Sequence, residues 1–325
     1  MLGSTVPLRF APTETFDPGG AAWIEAPWER AITVTGKDAA RFLHNLLTQD
    51  VLGMAVGSTR PAVLADRKGH LVAELWIWRE EESRLRLRTA APTIDAVLDV
   101  FARHRVMERV EWSVRPDPSF AVLVCGREAG FALGIDPGLG GGALADCGPD
   151  GLWFRVRELT PEDVVIVADA DRADTVRAHL HAVVPIGWET FDRARIEAGR
   201  AWMGIDADGD RLVPEPGWDD RISYTKGCYL GQETLARLHY QGRLNWSLER
   251  ISWMGETVDP GTDLRDPGGD RVGWVTSARA SGDRVVALGY LHRRAREESL
   301  PVSLPDGRVV SRRTDSPPPA DSLDS

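Results

Sequence analysis

Lys226-Gly227-Cys228-Tyr229-Leu230-Gly231-Gln232-Glu233 is the densest run of chemistry in this chain. Gly227 and Gly231 permit tight backbone turns on either side of a cysteine. Leu235, Ala236 and Leu238 follow at helical spacing, which predicts a helix starting near Gly231 with Cys228 just ahead of its N-terminus. Free backbone N–H groups and the helix dipole at such a place favour an anion, and Lys226 adds a positive charge two residues away. Both effects favour the thiolate over the thiol, and the thiolate is the reactive form. The plainer alternative is that Cys228 is a small buried hydrophobe.

Lys226 stands out against the rest of the chain. Of the 39 lysines and arginines only three are lysines, Lys37, Lys68 and Lys226. A chain that uses arginine wherever a cation serves makes each lysine a candidate for a site that needs a compact, titratable ammonium.

Downstream of the motif, residues 245–312 switch to short strands between Gly and Pro turns. Arg250 to Trp253, Arg271 to Val275, Val285 to Tyr290 and Val309-Val310 have the spacing of a small all-β barrel. Residues 313–325, with Pro317-Pro318-Pro319 and several Asp and Ser, read as a disordered tail. Upstream, residues 1–20 read as an irregular arm. The first predicted strand is Ala31 to Val34, then a turn at Gly36-Lys37-Asp38. Asp38 is positioned to cap a helix carrying Ala39, Ala40, Phe42, Leu43, Leu46 and Leu47. Val63 to Val72 reads as a hairpin with its turn at Lys68-Gly69, followed by the alternating strand Leu85 to Arg88, a helix from Ala91 to His104 and a strand at Val110 to Val114.

A similar order recurs. Phe120 to Val124 is a strand, 152–156 and 164–167 form a strand pair, and 171–182 is a helix. Strand–strand–helix thus occurs twice, roughly 80 residues apart, which implies a duplicated α+β unit. Residues 188–205 read as a long helix and its exit. The expected domains are 21–118, 119–243 with the cysteine motif, and 244–312.

Composition sets the outer limits. The 325 residues, 42% hydrophobic and 27% charged, can bury a normal core and form two or three domains. No apolar run approaches the length of a membrane span. Cys125, Cys147 and Cys228 are odd in number and far apart, against a secreted disulfide framework and in favour of a cytoplasmic setting. The net charge of −10 argues against non-specific nucleic-acid binding. No Cys-x-x-Cys occurs and the seven histidines do not cluster with the cysteines, so no metal site is expected. Gly138 to Gly142 is glycine-rich, but no strand leads into it and no helix leaves it, against a dinucleotide loop.

The octapeptide 226–233 resembles the signature of the YgfZ family at every position. These proteins are similar to the glycine-cleavage T-protein and linked to iron–sulfur cluster maintenance. Arg195 to Arg200 with Gly204-Ile205-Asp206, and Leu212 to Glu215, resemble the segment before that signature. Gly36 to Ala39, Leu47 to Val51 and Asp66 to Gly69 resemble the family's N-terminal half. The resemblance spans residues from about 30 to 312 and implies a ring of domains around a folate channel, closed by the C-terminal barrel.

Site residues follow from that resemblance. Cys228 and Lys226 would be the functional pair. Glu197 matches the carboxylate that holds the pterin ring, and a carboxylate suits a pterin edge because it accepts from an amino group and a ring N–H side by side. Read without the resemblance, Glu197 is a helix-surface residue pairing with Arg193, Arg195 or Arg200. Arg237, Gln232 and Tyr229 are the further candidates to contact tetrahydrofolate or a one-carbon derivative. Glu74 aligns with the T-protein's catalytic aspartate but reaches one methylene further, and proton transfer tolerates little displacement. That departure, with Cys228, points away from aminomethyl transfer and toward a folate-binding accessory protein with iron–sulfur clients.

Overall fold

The structure is a computed structural model that describes residues 15–115, 119–143 and 151–313. Cys147, most of the predicted arm and residues 314–325 of the predicted tail lie outside these residues.

A short strand, β1 (Ala22–Glu25), is followed by two units of the same order. The first comprises β2 (Glu29–Thr35), α1 (Ala39–Leu46), β3 (Thr59–Ala65), β4 (Leu71–Glu81), β5 (Arg84–Ala90), α2 (Ile94–His104) and β6 (Glu111–Val114). The second comprises β7 (Ser119–Cys125), α3 (Ala129–Ala132), β8 (Gly141–Ala143), β9 (Leu152–Arg155), β10 (Val164–Asp169), α4 (Ala173–His179) and β11 (Val184–Pro185). The sheet orders are β3-β4-β5-β2-β6 and β8-β9-β10-β7-β1-β11. They match once β1 is set aside. The duplication predicted from the strand pattern is therefore present, and it includes a strand and a helix ahead of each strand pair.

The repeat extends to residues. Gly36 after β2 and Gly126 after β7 both have φ above 100°, and a Cβ on either would lie 2.1 Å from a backbone carbonyl oxygen, of Arg109 and Gly20 respectively. Only glycine allows that approach. β1 falls within the sequence range 21–118, yet it pairs antiparallel with β7 and parallel with β11, so the start of the chain is stitched into the second sheet.

Period-2 burial explains most of the first sheet. Leu85 and Leu87 of β5 are buried while Arg84 and Arg86 are partly exposed. Arg88 breaks the alternation because two carboxylates meet it inside. On α1, Ala39, Ala40, Phe42, Leu43 and Leu46 form the buried stripe. Asp38 stands at the N-cap position but makes no side-chain cap bond, which corrects the expected role. Its Oδ2 accepts instead from Arg109 N–H at 2.8 Å, tying α1 to the approach to β6. The two sheets meet through Trp76 and Trp78 of β4, packed against Leu123, Phe154 and Phe191.

The remaining elements are α5 (Trp188–Glu197), α6 (Gln232–Gln241) and a closed barrel of β12 (Trp246–Met254), β13 (Asp263–Arg265), β14 (Arg271–Ser281), β15 (Arg284–His292), β16 (Val302–Ser303) and β17 (Val309–Arg312). α5 packs on β14 and β15. The fully buried Arg195 joins the two. It pairs with Asp192 at 2.6 Å and Asp206 at 2.5 Å, and donates to Ser277 Oγ at 3.0 Å. Asp206 also accepts from Thr276 and Ser277 hydroxyls, both at 2.6 Å.

Candidate functional site

Three segments singled out in the sequence converge on the signature. Thr48 Oγ1 donates to the Arg221 carbonyl at 2.6 Å, Ser223 N–H donates to the Thr48 carbonyl at 2.9 Å, and Gln49 Nε2 reaches the Asp220 carbonyl at 3.3 Å. The segment 47–51 therefore runs beside 220–226. On the other side, the Asp66–Gly69 turn abuts Gly231, where a Cβ would lie 2.5 Å from the Asp66 carbonyl oxygen. Gly231 has φ 79° and is the N-cap residue of α6, so the helix begins at the residue the sequence indicated.

Lys226 points into α1. Its ammonium donates to the main-chain carbonyls of His44, Leu47 (2.6 Å) and Gln49 (3.0 Å), and lies 4.8 Å from the centre of the Tyr229 ring. Burial pushes the ammonium down to about 7, against the pull of Asp50. The carbonyls decide for the charged form: only an ammonium has three N–H bonds for three acceptors, and a cation suits a helix C-terminus. Lys226 is thus a clamp between the signature and α1.

Cys228 is exposed, three residues ahead of the α6 N-cap. Gln232, partly buried, turns its amide back to the Lys226 carbonyl at 3.4 Å. Tyr229 is buried in the cluster of Val63, Leu71, Trp218 and Leu235, and burial pushes its phenol up to about 12. Arg237 is exposed on α6. Glu197 lies at the end of α5 on its barrel side, where Oε1 accepts from Ser281 Oγ at 2.8 Å.

Glu74 is elsewhere, in a buried charged cavity between the sheets walled by Trp28, Glu74, Arg88, Glu158, Trp202 and Met203. Its volume is about 20 Å³, room for one water. Glu74 pairs with Arg221, whose guanidinium lies over the Trp218 ring at 4.2 Å. Burial pushes the Glu74 carboxyl up, with Arg221 pulling it down. Arg88 is bracketed by Glu29 and by Glu158 at 2.6 Å; burial works against its charge and the two carboxylates outweigh it. Arg221 joins the two regions, since its side chain serves the cavity and its carbonyl anchors the loop that ends in Cys228. Cys228, Lys226, Gln232 and Tyr229 are brought together; Glu74 lies in the cavity, Glu197 against the barrel and Arg237 at the surface.

Trp28, Arg88, Glu158, Trp202 and Arg221 were not singled out by sequence reasoning. No signal in the sequence marked them: Arg88 falls on the same face of β5 as Arg84 and Arg86, in a run that alternates strictly. Among the described residues, no group of three or more His, Cys, Asp or Glu side chains is placed to hold a metal ion, and no helix is long and apolar enough to cross a membrane.

Residues 20–130 match the family model described as the GCVT N-terminal domain. Among curated proteins, the chain is 28% identical over 253 residues to the tRNA-modifying protein YgfZ of Edwardsiella ictaluri, covering 70% of this chain and 72% of that protein. It is 27% identical over 267 residues to the protein of the same name from Vibrio vulnificus, covering 80% and 77%. Among solved structures, the glycine cleavage system aminomethyltransferase T of Bartonella henselae superposes with a TM-score of 0.80 at 19% identity, over 92% of this chain and 86% of that one. That likeness carries the fold: two repeated α+β units closed by a barrel. With the octapeptide 226–233 beside these matches, the chain is similar to the YgfZ proteins over most of its length and has the fold of the glycine-cleavage aminomethyltransferase.

Proposed function

We propose that this protein binds tetrahydrofolate, or a one-carbon derivative of it, and supports the assembly or repair of iron–sulfur proteins through Cys228. The observation that carries this reading is an exposed thiol on an immobilised loop. Lys226 and Gln232 fix the backbone on both sides of Cys228, while the thiol itself is open to solvent. A cysteine kept for packing would be buried, so the exposure speaks against a purely structural role. A thiolate is both a nucleophile and a ligand for soft metals, which suits transient handling of a cluster or of a one-carbon unit.

The cavity suits a pterin in kind. Indoles offer flat walls, and Glu74 and Glu158 offer acceptors for a ring that presents amino and ring N–H donors. Its closed volume does not admit a bicyclic ring, so binding requires the partly exposed Trp202 and Met203 to swing outward. Glu197 and Arg237 would then serve the outer parts of the ligand. When bound, a reduced folate would supply one-carbon chemistry at this site. The relatives carry a tRNA-modifying name. With a net charge of −10 here, we assign that link to a client enzyme rather than to RNA held by this chain.

Anaerobic calorimetry with tetrahydrofolate tests the first half, using wild type, Glu74→Gln and Glu197→Ala. Saturable binding weakened by either variant supports the site; no binding by wild type rejects it. Iron–sulfur enzyme activity in cells expressing Cys228→Ser tests the second half. A second reading, a folate-dependent aminomethyltransferase or other one-carbon transferase, is favoured by one observation: Glu74 lines the cavity with its carboxyl pushed up by burial, as an acid/base group requires. Formation of methylenetetrahydrofolate from an aminomethyl-lipoyl carrier supports that reading, and no turnover removes it.

A further inference from the structure

His44 occupies the last turn of α1, with its side chain 12% exposed. Nδ1 lies 3.2 Å from Asp50 Oδ1, and Gly53 N–H holds that oxygen at 3.0 Å. Leu52 N–H also approaches Nδ1, at 3.4 Å. That contact is longer and uncharged, so the carboxylate sets the tautomer, with Nδ1–H donating to Asp50. The lone pair is then on Nε2. Nε2 faces the signature loop: it lies 3.9 Å from where a Cβ on Gly227 would be, and Gly227 carries none. The next residue is Cys228. Lys226 donates to the His44 carbonyl, so ring and loop are held in one frame.

We propose that His44, oriented by Asp50, is the proton acceptor for the Cys228 thiol, an assignment that rests on the reading of Cys228 as functional. In the step, the Sγ–H bond breaks, the proton forms an N–H bond at Nε2, and the products are a thiolate and an imidazolium. No other reactant is consumed. Asp50 stabilises the imidazolium and keeps Nε2 aimed at the loop; it is a positioning residue. The groups facing His44 act in opposite senses. Burial and the Lys226 ammonium pull its pKa down and Asp50 pulls it up, and the first two win, leaving the ring neutral with its lone pair free at physiological pH.

The test is the pH profile of carbamidomethylation by iodoacetamide on the full chain. It is followed by mass on tryptic peptide 227–237, so that Cys125 and Cys147 do not contribute. His44→Gln should shift the midpoint up relative to wild type and slow alkylation at pH 7 by up to about tenfold, the change that a one-unit shift gives. Asp50→Asn should shift it in the same direction by less. Profiles of both variants superimposed on wild type would overturn the assignment. So would a His44→Gln rate lowered equally at every pH, which marks a packing contact. Should His44→Gln not fold, Asp50→Asn decides alone. Full function of Cys228→Ser in cells removes the functional cysteine itself, a failure separate from an unmoved pH profile.

Discussion

The Lys226 ammonium lies 2.6 Å from the Leu47 carbonyl oxygen, across 179 residues of sequence, and is shared with the carbonyls of His44 and Gln49. A cation at the open end of α1 satisfies acceptors that a helix C-terminus leaves unpaired. Lys226→Met removes all three bonds and leaves carbonyls facing an apolar chain. The expected cost is about 2–4 kcal/mol, from charge-assisted bonds lost and partners left unsatisfied. Lys226→Arg should recover little, because a planar fork does not serve three convergent carbonyls. Urea unfolding gives the stabilities. Hydrogen exchange should show residues 44–50 and 224–230 loosening together in Lys226→Met, and exchange unchanged in both segments contradicts the clamp.

His44 gives a pH dependence with a definite sign. Its folded pKa lies below the ordinary 6.5, first through burial and then through Lys226. Between the folded value and 6.5, the unfolded chain holds the proton and the folded chain does not. Acidification through that window therefore favours unfolding, and stability returns as pH rises to 6.5. His44→Gln lacks the group. The stability difference between wild type and variant should be flat above pH 6.5 and should move against wild type below it. Urea midpoints of both proteins from pH 5 to 8 check this, and parallel curves would contradict it.

The signature was legible because its glycines, lysine and following helix are local. So were α2, α5 and the barrel strands β12, β14, β15 and β17, where one period runs uninterrupted; the short β13 and β16 were not. β1 was missed because Ala22-Trp23-Ile24-Glu25 is short and its partners lie 97 residues or more away, at 122–125 and 184–185. β8 was missed because Gly141-Gly142-Ala143 has no β-branched residue; its pairing with β9 makes it a strand. The repeat was read from strand spacing alone, although Gly36, Ala39 and Leu43 recur as Gly126, Ala129 and Leu133. Lys226 was read as a charge for the thiolate, and nothing local says that its chain turns to α1. The cavity was illegible for the same reason: Trp28, Arg88, Glu158 and Trp202 meet only through tertiary packing.

Arg195 is the largest fully buried side chain among the described residues and lies between α5 and the barrel. Asp192 and Asp206 neutralise it, and Asp206 is shared with Thr276 and Ser277 of β14. Breaking a buried pair leaves charge without compensation. Arg195→Leu is expected to cost about 3–5 kcal/mol. Asp206→Asn keeps the shape but loses charge, and should cost about half as much, on the order of 1–3 kcal/mol. Calorimetry on both variants measures this. A loss under about 1 kcal/mol for Arg195→Leu would mean the barrel is held by its apolar contacts instead.

Two glycines of one octapeptide should respond oppositely to alanine. Gly231 has φ 79°, and its added Cβ would sit 2.5 Å from the Asp66 carbonyl and 3.0 Å from Gly69 Cα, both backbone atoms. Neither can yield without moving the hairpin tip off α6. Strain in the left-handed region adds to the clash, so Gly231→Ala should cost about 2–4 kcal/mol. At Gly227 the backbone is not left-handed, and the nearest atom to an added Cβ is His44 Nε2 at 3.9 Å, an ordinary contact. Gly227→Ala should change stability by less than about 0.5 kcal/mol. Thermal melting of the two variants beside wild type reads both numbers. Equal losses would mean that the turn at 231 is no tighter than the one at 227, and that the contact between Asp66 and Gly231 does not set where α6 begins.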